Sequence, residues 1–117
     1  ITIGTSSTSY NTTSDYRLKE NVIELTGGIE RVKKLQPKRF NFIEDPDNTV
    51  DGFIAHETQE IVPEAVTGDK DGELPDGQPV YQGIDQAKLV PLLTAALQEA
   101  ITKIEDLETR IQILENQ

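Results

Sequence analysis

A hydroxyl and an amine stand five residues apart in Thr12-Thr13-Ser14-Asp15-Tyr16-Arg17-Leu18-Lys19-Glu20-Asn21, where a Ser/Thr-rich segment gives way to an amphipathic chain. A Ser–Lys pair substitutes for Ser–His in acyl transfer when the amine is neutral and acts as general base. The demand is severe. An ordinary lysine side chain, with a reference pKa of about 10.4, is neutral in roughly four molecules in ten thousand at pH 7. Displacing that equilibrium by about 3 units costs on the order of 4 kcal/mol, which desolvation or a neighbouring cation such as Arg17 can impose.

Geometry constrains the pair further. Positions five apart lie about 140° round an α-helix, and on a strand they point to opposite faces. Ser14 and Lys19 therefore meet only across a bend or across a subunit boundary. The plainer reading is that Ser14 or Asp15 N-caps a helix beginning near Tyr16.

The elements that must position these residues come from a chain of 117 residues, enough for one domain with a modest core. Apolar content of 35% and aromatic content of 5% make that core thin, and oligomerisation would add to it. A net charge of −10 argues against nucleic acid or an anionic membrane as partner, because phosphate binding needs clustered cations. The absence of Cys removes disulfides, thiol catalysis and thiolate metal sites. With no Met, the chain is expected to be a fragment or a processed product. No apolar run reaches the length of a membrane span or a signal-peptide core.

Residues 1–13 are rich in Ser and Thr and read as the last strand of something upstream, or as a linker. Leu18, Val22, Ile23 and Leu25 suit a short helix or a turn leading into a strand, and Gly27-Gly28 punctuates it. Ile29, Val32 and Leu35 recur at helical spacing until Pro37. Phe40 and Phe42 alternate with polar residues as in a half-buried strand, Asp45-Pro46-Asp47-Asn48 forms a turn, and Val50–Ala55 returns to complete a hairpin. A short helix over His56–Val62 closes at Pro63. His56 is the only histidine, so any Ser–His mechanism would need it; a structural role is the simpler reading. Thr67–Pro79 is a Gly/Asp/Pro-rich excursion. Its acidic residues do not fit the EF-hand template, whose glycine stands at loop position six, so a projecting hairpin or loop is expected and no metal. Asp85 is placed to cap the next element.

The C-terminal stretch carries the clearest periodicity. Leu93, Leu97, Ala100, Ile104, Leu107, Ile111 and Leu114 are spaced 4-3-4-3-4-3, with Leu97, Ile104 and Ile111 at a and the others at d. Lys103 and Arg110 fall at g and Glu108 and Glu115 at e, so parallel copies can pair them across the seam. Packing on its own domain explains Leu89–Leu97 but not the seam beyond Ile104, where little chain is left to cover it. A parallel self-associating coiled coil is expected.

Three of these segments, in order, resemble the self-cleaving intramolecular chaperone domains at the C-termini of phage tailspikes, tail fibres and endosialidases. A related domain occurs in myelin regulatory transcription factors. The resemblance rests on Ser14-Asp15-x-Arg17-Leu18-Lys19-x-Asn21-Val22, on Gly52-Phe53-Ile54-Ala55-His56-Glu57 with Glu60-Ile61-Val62-Pro63-Glu64-Ala65-Val66, and on Ile84-Asp85 with Leu89-Val90-Pro91-Leu92-Leu93 and the heptads. It implies a homotrimer that registers an upstream β-helical fibre, its folding client and substrate, inside the host cytoplasm during virion assembly. The domain then releases itself with a Ser–Lys dyad and no cofactor. Carried over, Ser14 is the nucleophile, Lys19 the general base, Thr13–Ser14 the cut bond, and Asp15 and Arg17 supporting residues. His56 lies where relatives often carry Gln, which speaks against an essential base there.

The expected architecture is α+β. Residues 1–13 end an upstream stalk. Residues 14–92 form a chaperone and autoprotease body with short helices, a β-hairpin and a protruding arm. Residues 93–117 form the stem, a parallel trimeric coiled coil. The alternative from another class is a non-catalytic trimerisation cap of a fibre. A processed piece of a transcription factor is disfavoured by the acidic charge.

Overall fold

The computed structural model describes residues 13–117. The reading of residues 1–13 as strand or linker thus falls, but for Thr13, outside the described residues. In chain order the elements are a 3-10 turn (Tyr16–Leu18), α1 (Gly28–Val32), β1 (Lys38–Asn41), β2 (Thr49–Gly52) and α2 (Ala55–Gln59). A second 3-10 turn (Pro63–Ala65), β3 (Val66–Thr67), β4 (Gly83–Ile84), a third 3-10 turn (Gln86–Leu89) and the long helix α3 (Val90–Glu115) complete the chain. The α+β class is as expected.

The core is small and gathers where the short elements meet the start of α3. Val62, Ala65, Val66, Leu89 and Leu92 are buried together, with Val32, Leu35, Phe53, Ala55, Ile61 and Ile84 packed round them. Antiparallel pairing of Val66 with Ile84 and Thr67 with Gly83 closes the base of the excursion. A main-chain bond from Asp85 to the Ala65 carbonyl at 2.7 Å continues that closure. The excursion itself is a hairpin-like loop, held by Val80 N–H on the Gly72 carbonyl at 2.7 Å and Leu74 N–H on the Gln78 carbonyl at 2.8 Å. Asp85 caps the third 3-10 turn, accepting from the Ala87 N–H at 3.1 Å.

The β1–β2 hairpin pairs Lys38 with Gly52 and Phe40 with Val50. It is shorter than the alternation predicts. Phe42 lies beyond β1, largely exposed, and sets its ring edge-on against Phe40 at 5.4 Å between centroids. The return strand ends at Gly52, where the Phe40 ring covers the space a β-carbon would take.

α1 and α3 are joined by close backbone approach. Gly27 adopts φ +72°, a left-handed conformation that glycine reaches without strain, and turns the chain into α1. A β-carbon on Gly28 would stand 2.7 Å from the Ala96 nitrogen, so only glycine lets α1 lie this close to α3. Glu99, one turn further along α3, reaches back and accepts the Gly28 N–H at 2.9 Å and the Ile29 N–H at 3.1 Å. These are orphan donors of the α1 N-terminus, and Gly27 has no side chain to cap them.

α3 begins at Val90, three residues before the expected stem boundary, and its first turns belong to the body. Leu92, Ala95 and Ala96 are buried there. Every residue from Ile101 onwards is exposed, leaving about four turns that carry the apolar seam outwards.

Candidate active site

Thr13 to Gly27 run exposed along their whole length. In place of the helix expected near Tyr16, a single 3-10 turn forms. Two main-chain bonds hold it, Leu18 N–H on the Asp15 carbonyl and Lys19 N–H on the Tyr16 carbonyl, both 3.1 Å. The turn does not propagate. Leu18, Val22 and Ile23 find no surface to bury against among the described residues, and a short helix without a packed face is unstable. Asn21, at φ 55°, takes the left-handed conformation that Asn tolerates and redirects the chain.

This turn is the bend that spacing demands. Lys19 leaves it extended, at φ −116° and ψ 146°, and its Nζ lies 2.6 Å from Ser14 Oγ. The two groups meet within one chain, so a subunit boundary is not needed to bring them together. At this distance an ammonium donates to the hydroxyl, and a neutral amine accepts from it.

Asp15 supplies the N-cap. Its Oδ1 accepts the Arg17 main-chain N–H at 2.8 Å and Arg17 Nε at 3.0 Å, while Oδ2 accepts Nη2 at 2.9 Å. The Arg17 guanidinium, and after it the Arg17 main-chain N–H, hold the Asp15 carboxyl below its ordinary range, and Asp15 raises Arg17 in return. The cation named as a lever on the lysine is thus matched by its own carboxylate. Ser14 and Lys19 are themselves both exposed.

His56 is elsewhere. It is half-buried beside a shallow cavity of about 300 Å³ whose other walls include Asp69, Lys70, Asp71 and Tyr81, and neither Ser14 nor Lys19 lines it. Among the described residues no group of three or more His, Asp or Glu side chains could hold a metal ion.

Residues 14–67 match the family model Peptidase_S74, chaperone of endosialidase. The resemblance read from the motifs is borne out over that stretch. No curated protein matches the chain. The Peptidase_S74 stretch opens on Ser14 and takes in the 3-10 turn, α1, the hairpin, α2 and β3. The Ile84–Leu93 motif and the stem lie beyond it.

Sequence reading missed Glu99. It fell at a solvent-facing c position of the heptads, and nothing local marks it as a cap for a helix 71 residues upstream. The uncapped Gly27-Gly28 start of α1 was the available signal, since those N–H groups require an acceptor from somewhere.

Proposed function

We propose that the chain is a self-cleaving intramolecular chaperone that acts once on its own upstream segment. Its family match supports the chaperone role, and the 2.6 Å Ser14–Lys19 contact at the first matched residue carries the cleavage reading. A neutral Lys19 takes the proton from Ser14 Oγ, and the freed oxygen attacks the Thr13 carbonyl carbon. Lys19 then delivers that proton to the departing Ser14 nitrogen as the Thr13–Ser14 amide breaks. An ester between Thr13 and Ser14 Oγ remains. Water hydrolyses it to the Thr13 carboxylate, returning the hydroxyl to Ser14, which now heads the released domain.

The client is an upstream β-helical fibre of a phage tail, trimerised in the host cytoplasm through the α3 seam. Exposed Leu97, Ile104, Leu107, Ile111 and Leu114 supply the apolar knobs, and Lys103 and Arg110 face Glu108 and Glu115 of neighbouring copies in a parallel arrangement. Tethering matters here: three linked tails see one another at roughly millimolar effective concentration, so the register search becomes intramolecular.

Timing of the cut rests on the state of the amine and not on the approach of the two groups, which one chain already achieves. Assembly that buries the exposed turn against neighbouring or upstream chains would desolvate the amine and switch it on. The experiment is expression of a longer chain carrying the upstream segment. Wild type is expected to show a size shift, which Ser14→Ala and Lys19→Ala each abolish. A shift that persists in Ser14→Ala would rule out the dyad and leave trimerisation untouched, whereas a wild type that assembles without a shift would leave the non-catalytic trimerisation cap.

A further inference from the structure

We infer that Asp15 and Arg17 are a positioning pair, which fixes the turn that sets Lys19 Nζ against Ser14 Oγ. The inference rests on the Ser14–Lys19 reading above and deepens it. Among the described residues, the turn has no packing to hold it. None of Tyr16, Arg17 and Leu18 is buried, and Tyr16 is 82% exposed. A lone turn fixes several backbone angles in return for few hydrogen bonds, and is unfavourable unless something else stabilises it. Here that is Asp15. Its side-chain bonds among the described residues all go to Arg17 and none to Ser14 Oγ or Lys19 Nζ.

The two residues divide the work. Asp15 Oδ1 satisfies an orphan N–H of the turn, which is the cap. The planar fork of Arg17 engages both carboxylate oxygens and locks the rotamer in which the cap can form. Lysine at position 17 would keep the charge and lose the fork. With the cap in place, Lys19 leaves the turn on the side of Ser14.

The rival role for Arg17 is electrostatic, with its charge favouring the neutral amine. The pH profile separates the two. A positioning pair raises the cleavage rate at every pH, whereas an electrostatic lever moves the midpoint of the rate's rise with pH. In the longer chain, Asp15→Ala and Arg17→Ala are expected to lower the alkaline plateau about tenfold with an unchanged midpoint. Arg17→Lys should resemble Arg17→Ala, and Asp15→Asn, which keeps a capping oxygen, should recover part of the loss. Wild-type rates in Asp15→Ala overturn the inference. So does an alkaline shift of midpoint with an intact plateau in Arg17→Ala.

A second measurement stands apart from cutting. In the 117-residue chain, nuclear Overhauser contact between the Ser14 β-protons and the Lys19 ε-protons is expected in wild type and lost in Asp15→Ala. Contact that survives Asp15→Ala, or that wild type lacks, overturns the positioning pair. Failure of the wild-type longer chain to cleave overturns the proposed function and leaves this measurement to decide the pair.

Discussion

Two carboxylates each cap a short turn, and their surroundings differ. Glu99 reaches across 71 positions of sequence to the N-terminus of α1, onto a half-buried junction where backbone packs on backbone. Asp15 caps the turn directly after it, in a stretch with no buried residue. The first arrangement is closed by the body's own packing. Among the described residues the second is held by local bonds alone, and it is the one that bears the candidate chemistry. The body is therefore packed within a single chain, while the turn that joins Ser14 to Lys19 is preshaped and exposed. The proposed self-cleavage, delayed until assembly, calls for that combination.

The comparison is broken most forcefully at the core. Leu92→Ala removes a side chain only 2% exposed and is expected to cost about 2–5 kcal/mol in denaturant unfolding. Leu107→Ala, on the outer face of the same helix at 52% exposure, should change the stability of the isolated chain by less than about 0.5 kcal/mol. It should instead weaken self-association measured by sedimentation. Equal losses of folding stability at both sites would erase the distinction between body and stem. Gly28→Ala comes next. The new methyl group meets the Ala96 backbone, which cannot swing aside, and a loss of about 1–3 kcal/mol is expected. An unchanged unfolding midpoint would show that α1 does not sit as described.

The mildest prediction sharpens the contrast by pH. The Gly28 N–H first, then the Ile29 N–H, hold the Glu99 carboxyl below its ordinary value of 4.5, with Lys103 adding a smaller effect against partial desolvation. The folded state thus releases this proton more readily than the unfolded one. The resulting stabilisation is complete above the ordinary value and is lost as pH falls through the depressed one. The stability difference between wild type and Glu99→Gln should be present at neutral pH and vanish on acidification. A difference that persists in acid would mean that packing, and not the charge, accounts for Glu99.

Much of this arrangement is legible in the sequence because it is local. The hairpin is implied by alternation and the Asp45–Asn48 turn, Asp85 by its place before an apolar run, and the outer face of α3 by its heptads. Ser14 and Lys19 are readable as a pair because their spacing allows contact only across a bend. What stayed hidden is non-local or marginal. Glu99 is surface-like in its own helix and acquires a partner only when α3 folds back beside α1. The helix expected after Asp15 collapses to one turn, because its apolar residues have nothing among the described residues to cover them. Phe42 is left outside by a hairpin too short to include it.

The account turns on whether Ser14 becomes a new N-terminus. Intact-mass and terminal-sequence analysis of a longer chain, expressed with its upstream segment and left to assemble, measures this directly. A released fragment beginning at Ser14, absent when Lys19 is alanine, is the predicted result. A wild-type chain that assembles with its Thr13–Ser14 bond whole, or that breaks at another bond, contradicts it.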